Sequence, residues 1–166
     1  VHHRAMQNLL FGDFDGTTAT RLHLYQDQDQ DQQGFETQLV SSGDGPLSWV
    51  GGLFLFRESN TQPTRQDVFG PGATNNIAQD TDARALYGQG TWRFDNGFSL
   101  TGGLRYSWEE KDFSVVSIRA NGTEAFRVAK IDDWSKLDWK LIGDYQFSDS
   151  VLGYASASTG FKSGGF

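Results

Sequence analysis

The run Gln26-Asp27-Gln28-Asp29-Gln30-Asp31-Gln32-Gln33 places carboxylates at alternate positions, a spacing from which a Ca²⁺ loop can take oxygen ligands. An EF-hand loop starting at Asp27 needs glycine at its sixth position and glutamate at its twelfth. The chain has Gln32 and Gln38 there, so the run reads as a solvated loop. His2 and His3 are adjacent, and His23 has no histidine or carboxylate at ligand spacing along the chain, so no metal site is expected. Serine, histidine and aspartate all occur, but no nucleophile-elbow pattern does, which argues against hydrolase chemistry. The stretch from Gly160 to Phe166 contains Lys162 but lacks the Gly-x4-Gly-Lys-Ser/Thr spacing of a phosphate loop, and reads as a strand end rich in small residues. The chain is expected to be no enzyme and to carry no cofactor.

Composition narrows what could position any other site. The 166 residues suffice for one domain, 1–166. There is no cysteine, hence no disulfide framework and no thiolate metal site. A formal net charge of -7 removes the general attraction to phosphate backbones, so nucleic acid is not an expected partner. No apolar run approaches the ~20 residues of a membrane helix, and Val1-His2-His3-Arg4 is not followed by a leader-like apolar stretch. Membrane strands are a separate matter. They need only ~9–11 alternating residues each, so their hydropathy averages out. A mean hydropathy of -0.52 fits that case and a soluble all-β protein equally.

Turn chemistry divides the chain. Asp13-Phe14-Asp15-Gly16, Gly43-Asp44-Gly45-Pro46, Asp95-Asn96-Gly97 and Ser148-Asp149-Ser150 are short polar turns. Longer polar stretches lie between them at 27–34, 59–79 and 114–132 and read as loops. The segments left over predict eight strands: 4–12, 17–26, 35–42, 47–58, 80–94, 97–113, 133–147 and 150–161. Pro46, Pro63 and Pro71 all fall in the expected connections, as residues that cannot donate to a strand ladder should. Alternating short and long connections suit an outer-membrane barrel, whose turns on one side of the membrane are short and whose loops on the other are long.

Period-2 patterning then sorts the side chains. In 97–113, Phe98, Leu100, Leu104, Tyr106 and Trp108 share one face, and Arg105, Glu109 and Lys111 share the other. In 133–147, Leu137, Trp139, Leu141, Tyr145 and Phe147 oppose Lys136, Asp138, Lys140 and Asp144, with Ile142 the exception. Arg93 belongs with the charged set. A run of ten residues at ~3.3 Å each, tilted ~45°, rises about 23 Å, close to the ~25 Å apolar band of a barrel. Phe98 and Trp108 would then stand in its two aromatic girdles. The apolar set is expected to face lipid and the charged set a wet lumen. A soluble β-sandwich binding module would bury the same apolar stripe in its core, and pattern alone does not separate the two. The segment 47–58 stays unassigned, because Leu53 and Phe54 are adjacent apolar residues on opposite faces.

The stretch Tyr154-Ala-Ser-Ala-Ser-Thr-Gly-Phe-Lys-Ser-Gly-Gly-Phe166 resembles a signature of TonB-dependent receptor barrels. So do Asp138-Trp139-Lys140-Leu141 with Tyr145-Gln146-Phe147-Ser148-Asp149, and Tyr87-Gly88-Gln89-Gly90-Thr91-Trp92. Leu100-Thr101-Gly102-Gly103-Leu104-Arg105-Tyr106 with Glu109-Glu110-Lys111, and Trp49-Val50-Gly51-Gly52-Leu53-Phe54, are also similar. The subgroup it most resembles is the iron-siderophore receptors. The resemblance implies an all-β, antiparallel up-and-down meander of about eight strands. These would be part of a large transmembrane barrel in the bacterial outer membrane, without the plug, the TonB-contacting segment or the remaining strands. It further implies lipid and lipopolysaccharide around the wall, coupling to the TonB system through the plug, and a small-molecule substrate such as a ferric siderophore. Arg65, Arg119 and Arg127, in the expected long loops, could pair with an anionic ferric chelate. A non-energised outer-membrane barrel is the other reading.

Overall fold

The structure is a computed structural model that describes residues 1–14, 16, 22–160 and 162–166. Every regular element among them is a strand: β1 (His2–Asp13), β2 (Leu22–Val40), β3 (Leu47–Val68), β4 (Thr74–Arg93), β5 (Phe98–Ile118), β6 (Glu124–Ser148) and β7 (Val151–Ser158). Each pairs antiparallel with its chain neighbour, giving one seven-stranded sheet ordered β1 to β7. This is the all-β meander expected from the sequence, with seven strands in place of about eight. Among the described residues there is no second sheet for the apolar stripe to pack against. β1 and β7 do not pair with each other, so the strands do not close into a small barrel.

The missing strand is a fusion. Residues 27–34 are not a loop but the middle of β2, which joins the expected strands 17–26 and 35–42 (17–21 lie outside the described residues). The expected loops 59–79 and 114–132 are mostly strand as well. β3 runs on to Val68 and β4 begins at Thr74, leaving a turn at 69–73. β5 runs to Ile118 and β6 begins at Glu124, leaving a turn at 119–123. In 27–34 and most of 59–79 both faces are polar, and in 114–132 apolar residues such as Val115, Val116, Phe126 and Ile131 fall on both faces, so hydropathy does not alternate. The strands persist because each residue continues a ladder already in register with its neighbour. The fusion also moves the turn around 13–16 to the same end as 69–73 and 119–123, here called distal. The turns at 41–46, 94–97 and 149–150 are proximal. Asp15, within the expected Asp13–Gly16 turn, lies outside the described residues.

Pro63 is the second correction. It sits inside β3, opposite Asn76 of β4, and not in a connection. On the other side the β2–β3 pairing passes from Gln26–Thr64 to Asp29–Thr61 and skips the residues facing Pro63 and Gln62. A residue with no N–H leaves a gap of this kind in a ladder. The proximal turn Asp95-Asn96-Gly97 is as expected. Gly97 has φ 82°, a left-handed conformation natural to glycine, and the Phe94 N–H donates to the Phe98 carbonyl at 2.8 Å.

Register assigns the two faces. Leu53, Leu86, Tyr106 and Leu137 are successive cross-strand partners on one face. Thr81, Ala85, Thr101, Ser107 and Ser117 all lie on the other, and are only 1–8% exposed. Small side chains crowded to that degree mark the inside of a bend, so the sheet curls towards its polar face. The convex face is left open, with Leu86 at 59%, Leu104 at 58% and Leu137 at 53% exposed. This reverses the usual arrangement, in which a single sheet hides its apolar side. Leu53 takes the convex face and Phe54 the concave one, which settles the segment the pattern left open.

Candidate functional site

The concave face carries the polar chemistry. Arg93, Arg105, Glu109, Lys111, Lys136, Asp138, Lys140 and Asp144 share this face through the pairings Arg93–Ser99–Asp144, Gly103–Lys140, Arg105–Asp138 and Ser107–Lys136. The opposite parity gathers Phe98, Leu100, Leu104, Tyr106 and Trp108 with Leu137, Trp139, Leu141, Tyr145 and Phe147, joined by Phe98–Tyr145, Leu104–Trp139 and Tyr106–Leu137. The Tyr106 and Trp108 rings meet edge to face at 4.2 Å, as do Tyr145 and Phe147 at 4.9 Å.

At mid-height the concave face holds a cluster whose members the sequence reading largely missed. Tyr87 lies opposite Gly52, where a Cβ would come within 2.6 Å of the Tyr87 hydroxyl and 2.7 Å of the Thr37 carbonyl. The glycine leaves room for the ring, and the phenol donates to Glu36. The Arg105 guanidinium lies over both the Phe54 ring (5.5 Å) and the Tyr87 ring (5.8 Å) and donates to the Ser107 hydroxyl at 3.1 Å. Asp138 faces Arg105 across the ladder, and its Oδ1 is buried without a hydrogen bond. A cavity of about 390 Å³ opens among Phe54, Arg105, Ser107, Glu109, Asp138 and Gly160.

Beyond β7 the chain leaves the sheet edge and lies on the same face. The Thr159 N–H donates to the Trp139 carbonyl, and Lys136 donates to the Gly160 carbonyl. Lys111 reaches the Ser163 hydroxyl and the Gly164 carbonyl, and Phe166 stacks on Phe113 at 5.4 Å. Residues 159–160 and 162–166 are thus a strap across β5 and β6, and neither a strand end nor a phosphate loop. Lys162 has no part in these contacts.

The distal half of the concave face differs again. Its rows read Arg4–Gln32–Glu58–Thr81, then Met6–Gln30–Asn60–Gln79. Further out come Asn8–Gln28 beside Gln62–Ile77, and Leu10–Gln26–Thr64–Asn75. Cross-strand amide bonds tie them: Gln28 donates to Asn60 at 3.1 Å, Gln30 donates to Glu58 at 2.8 Å, and Gln32 donates to the same carboxylate. The strict Gln/Asp alternation of 26–31 therefore sends glutamines to the concave face and aspartates to the convex one. That alternation of two polar types was the available signal for a strand.

The three loop arginines are not brought together. Arg65 sits on the convex side, stacked over Tyr25 (4.6 Å) and bonded to Asp67 at 2.6 Å. Asp67 is 2% exposed and also accepts the Gly72 N–H at 2.8 Å. The Arg65 bond and the Gly72 N–H hold its carboxyl below the ordinary value against the opposing effect of burial, and the same pair raises Arg65. Arg127 pairs with Glu124 at 3.0 Å, which raises its pKa. Arg119, at the 119–123 turn, donates to the Glu124 carbonyl and the Thr123 hydroxyl. The histidines do find carboxylates, supplied by neighbouring strands. His3 lies 2.6 Å from Asp31 and His23 lies 3.6 Å from Asp13. No cluster of three or more metal-ligating side chains occurs among the described residues.

Comparison with known proteins follows this geometry. Residues 3–166 match the sequence profile of the family described as TonB dependent receptor-like, beta-barrel. The fold is similar to the crystal structure of the ferric yersiniabactin uptake receptor FyuA from Yersinia pestis, with a TM-score of 0.78 at 17% identity. That superposition covers 93% of this chain and 23% of FyuA, so the chain spans about a quarter of that receptor's length. No curated protein matches the sequence.

Proposed function

The chain belongs to the TonB-dependent receptor-like β-barrel family, and from that premise we propose that it is part of the wall of a bacterial outer-membrane uptake receptor. The observation that carries this reading is the inverted sheet. Its apolar side is convex and open, and its ionic side is concave. In water each bare Leu or Trp would forgo about 1.5–3 kcal/mol of burial. Hydrocarbon removes that penalty, and a water-filled lumen solvates the charges on the inside. A barrel of this family type has about 22 strands, so the seven here form roughly a third of the circumference. The edges at β1 and β7 join further strands, because open edges do not persist in hydrocarbon. Lipid and lipopolysaccharide surround the wall, and residues 1–166 are all part of one barrel domain that extends beyond them. Phe98, Leu100, Leu104, Tyr106, Trp108, Leu137, Trp139, Leu141, Tyr145 and Phe147 face lipid. The eight charged residues from Arg93 to Asp144 face the lumen.

The receptor takes up a scarce small solute, driven by TonB acting through a plug held inside the barrel. The wall supplies the path and the selectivity and performs no covalent chemistry. A ferric siderophore is one candidate cargo, by likeness to FyuA. Of Arg65, Arg119 and Arg127, only Arg119 is held solely by neutral oxygens among the described residues, and we assign it the contact with any anionic cargo. Uptake by cells carrying the full-length receptor tests the reading. Deleting TonB is expected to abolish uptake and leave surface binding intact. Uptake that continues without TonB would remove energy coupling from the account.

A further inference from the structure

On the receptor reading just given, we propose that the distal concave wall binds an uncharged, hydroxyl-rich solute, a neutral oligosaccharide, in preference to an anionic chelate. Gln26, Gln28, Gln30, Asn60, Gln62 and Gln79 present carboxamides side by side across β2, β3 and β4. In the rows beyond Arg4 and Glu58, β1 to β4 place no charged residue on this face. An anion entering between β1 and β4 would lose water and meet no cation there, which is costly. The Lys130 ammonium on β6, 4.9 Å over the Phe166 ring, is already paired with Asp132 at 2.6 Å. A sugar hydroxyl both donates and accepts, and a carboxamide offers two N–H donors and two lone pairs. The bonds Gln28 to Asn60 and Gln30 to Glu58 use only part of that capacity and hold the amides in place beforehand. Gln62 and Gln79 make no side-chain hydrogen bond among the described residues, so binding them breaks nothing. An aromatic border completes the surface. Phe113 is the ladder partner of Gln79 and stacks on Phe166, with Trp134 6.2 Å from the same ring. Aromatic faces beside amides suit the C–H faces and hydroxyl edges of a sugar ring.

The test is isothermal titration of the full-length receptor in detergent. The probes are maltohexaose, xylohexaose and mannohexaose, set against ferric citrate and a ferric tris-catecholate. At least one hexasaccharide is expected to bind more tightly than either chelate. Gln28→Ala with Gln62→Ala should weaken it about tenfold or more, while a Gln28→Asn, Gln62→Asn pair loses less. Heat-modifiable migration in gels confirms that each variant is folded. Chelate binding without saccharide binding, binding of neither class, or an alanine pair that binds saccharide like the parent would each overturn the proposal. TonB-dependent uptake of some other solute would leave the receptor reading standing in that event. Saccharide binding with TonB-independent uptake would overturn the receptor reading alone.

Discussion

The same strands run through two regions that obey different rules. In the proximal half, from Phe98 to Trp108 on β5 and from Leu137 to Phe147 on β6, one face is apolar and the other ionic. In the distal half, from about Glu109 to Ile118 and from Glu124 to Lys136, each face mixes polar residues with apolar ones such as Phe113, Val115, Phe126 and Val128 on one side and Val116, Ile118 and Ile131 on the other. The ladder does not register the difference, since β5 and β6 stay paired from Phe98–Tyr145 to Ile118–Glu124. The backbone is therefore set by hairpin register along the whole length, while on the proposed receptor reading the solvent outside changes partway up. β5 continues ten residues past Trp108 to Ile118, which at a ~45° tilt rises about 23 Å further. With Trp108 at the edge of an apolar band ~25 Å tall, that length stands outside the band.

The largest expected break in this comparison comes from placing the same charge in each half of the convex face. Leu104→Arg in mid-band should cost about 2–4 kcal/mol of barrel stability in lipid, and Ser114→Arg above the band about 0–1. Urea unfolding in lipid vesicles measures both, and equal costs would mean that no such boundary exists. Next, Gly52→Val should cost about 1–3 kcal/mol by overpacking. The new Cβ strikes the Tyr87 ring and the Thr37 carbonyl. Thermal unfolding together with loss of the Tyr87–Glu36 bond in hydroxyl-sensitive spectra would report it.

Smaller effects belong to the distal half. Pro63→Thr restores an N–H facing β2 and should slow hydrogen exchange around Asp27 and Gln28, with a stability change under about 1 kcal/mol. The Asp67 link is sensitive to acid. Its folded pKa lies below the ordinary 3.8, so its contribution is complete above that value and is lost as pH falls through the folded one. Exchange of the Gly72 N–H should therefore quicken in Asp67→Ala at neutral pH and in the parent only below pH 3.8. Proximal amides should show neither change.

The same division explains what the sequence disclosed. The division into two faces was legible wherever Leu, Trp and Phe alternate with Lys, Asp and Arg, and the register pairs Leu104 with Trp139 and Arg105 with Asp138 on opposite faces in the same way. The distal strands were invisible to that method. A stretch such as Asn60-Thr61-Gln62-Pro63-Thr64 has no hydropathy period, and its proline pointed to a loop. Tyr87 and Glu36 could not be paired in advance, since 51 residues separate them and only the sheet order brings them together. Arg65 was expected in a loop as a partner for an anionic chelate, but it lies within β3, where Asp67 and Tyr25 hold it on the convex side.

The central claim is tested most directly by spin labels at adjacent residues of the full-length protein in vesicles, one at Leu104→Cys and one at Arg105→Cys. A lipid-facing Leu104 and a lumen-facing Arg105 require high oxygen collision rates with little access to a water-soluble nickel chelate at the first site, and the reverse at the second. Equal access of the chelate to both sites would contradict the account.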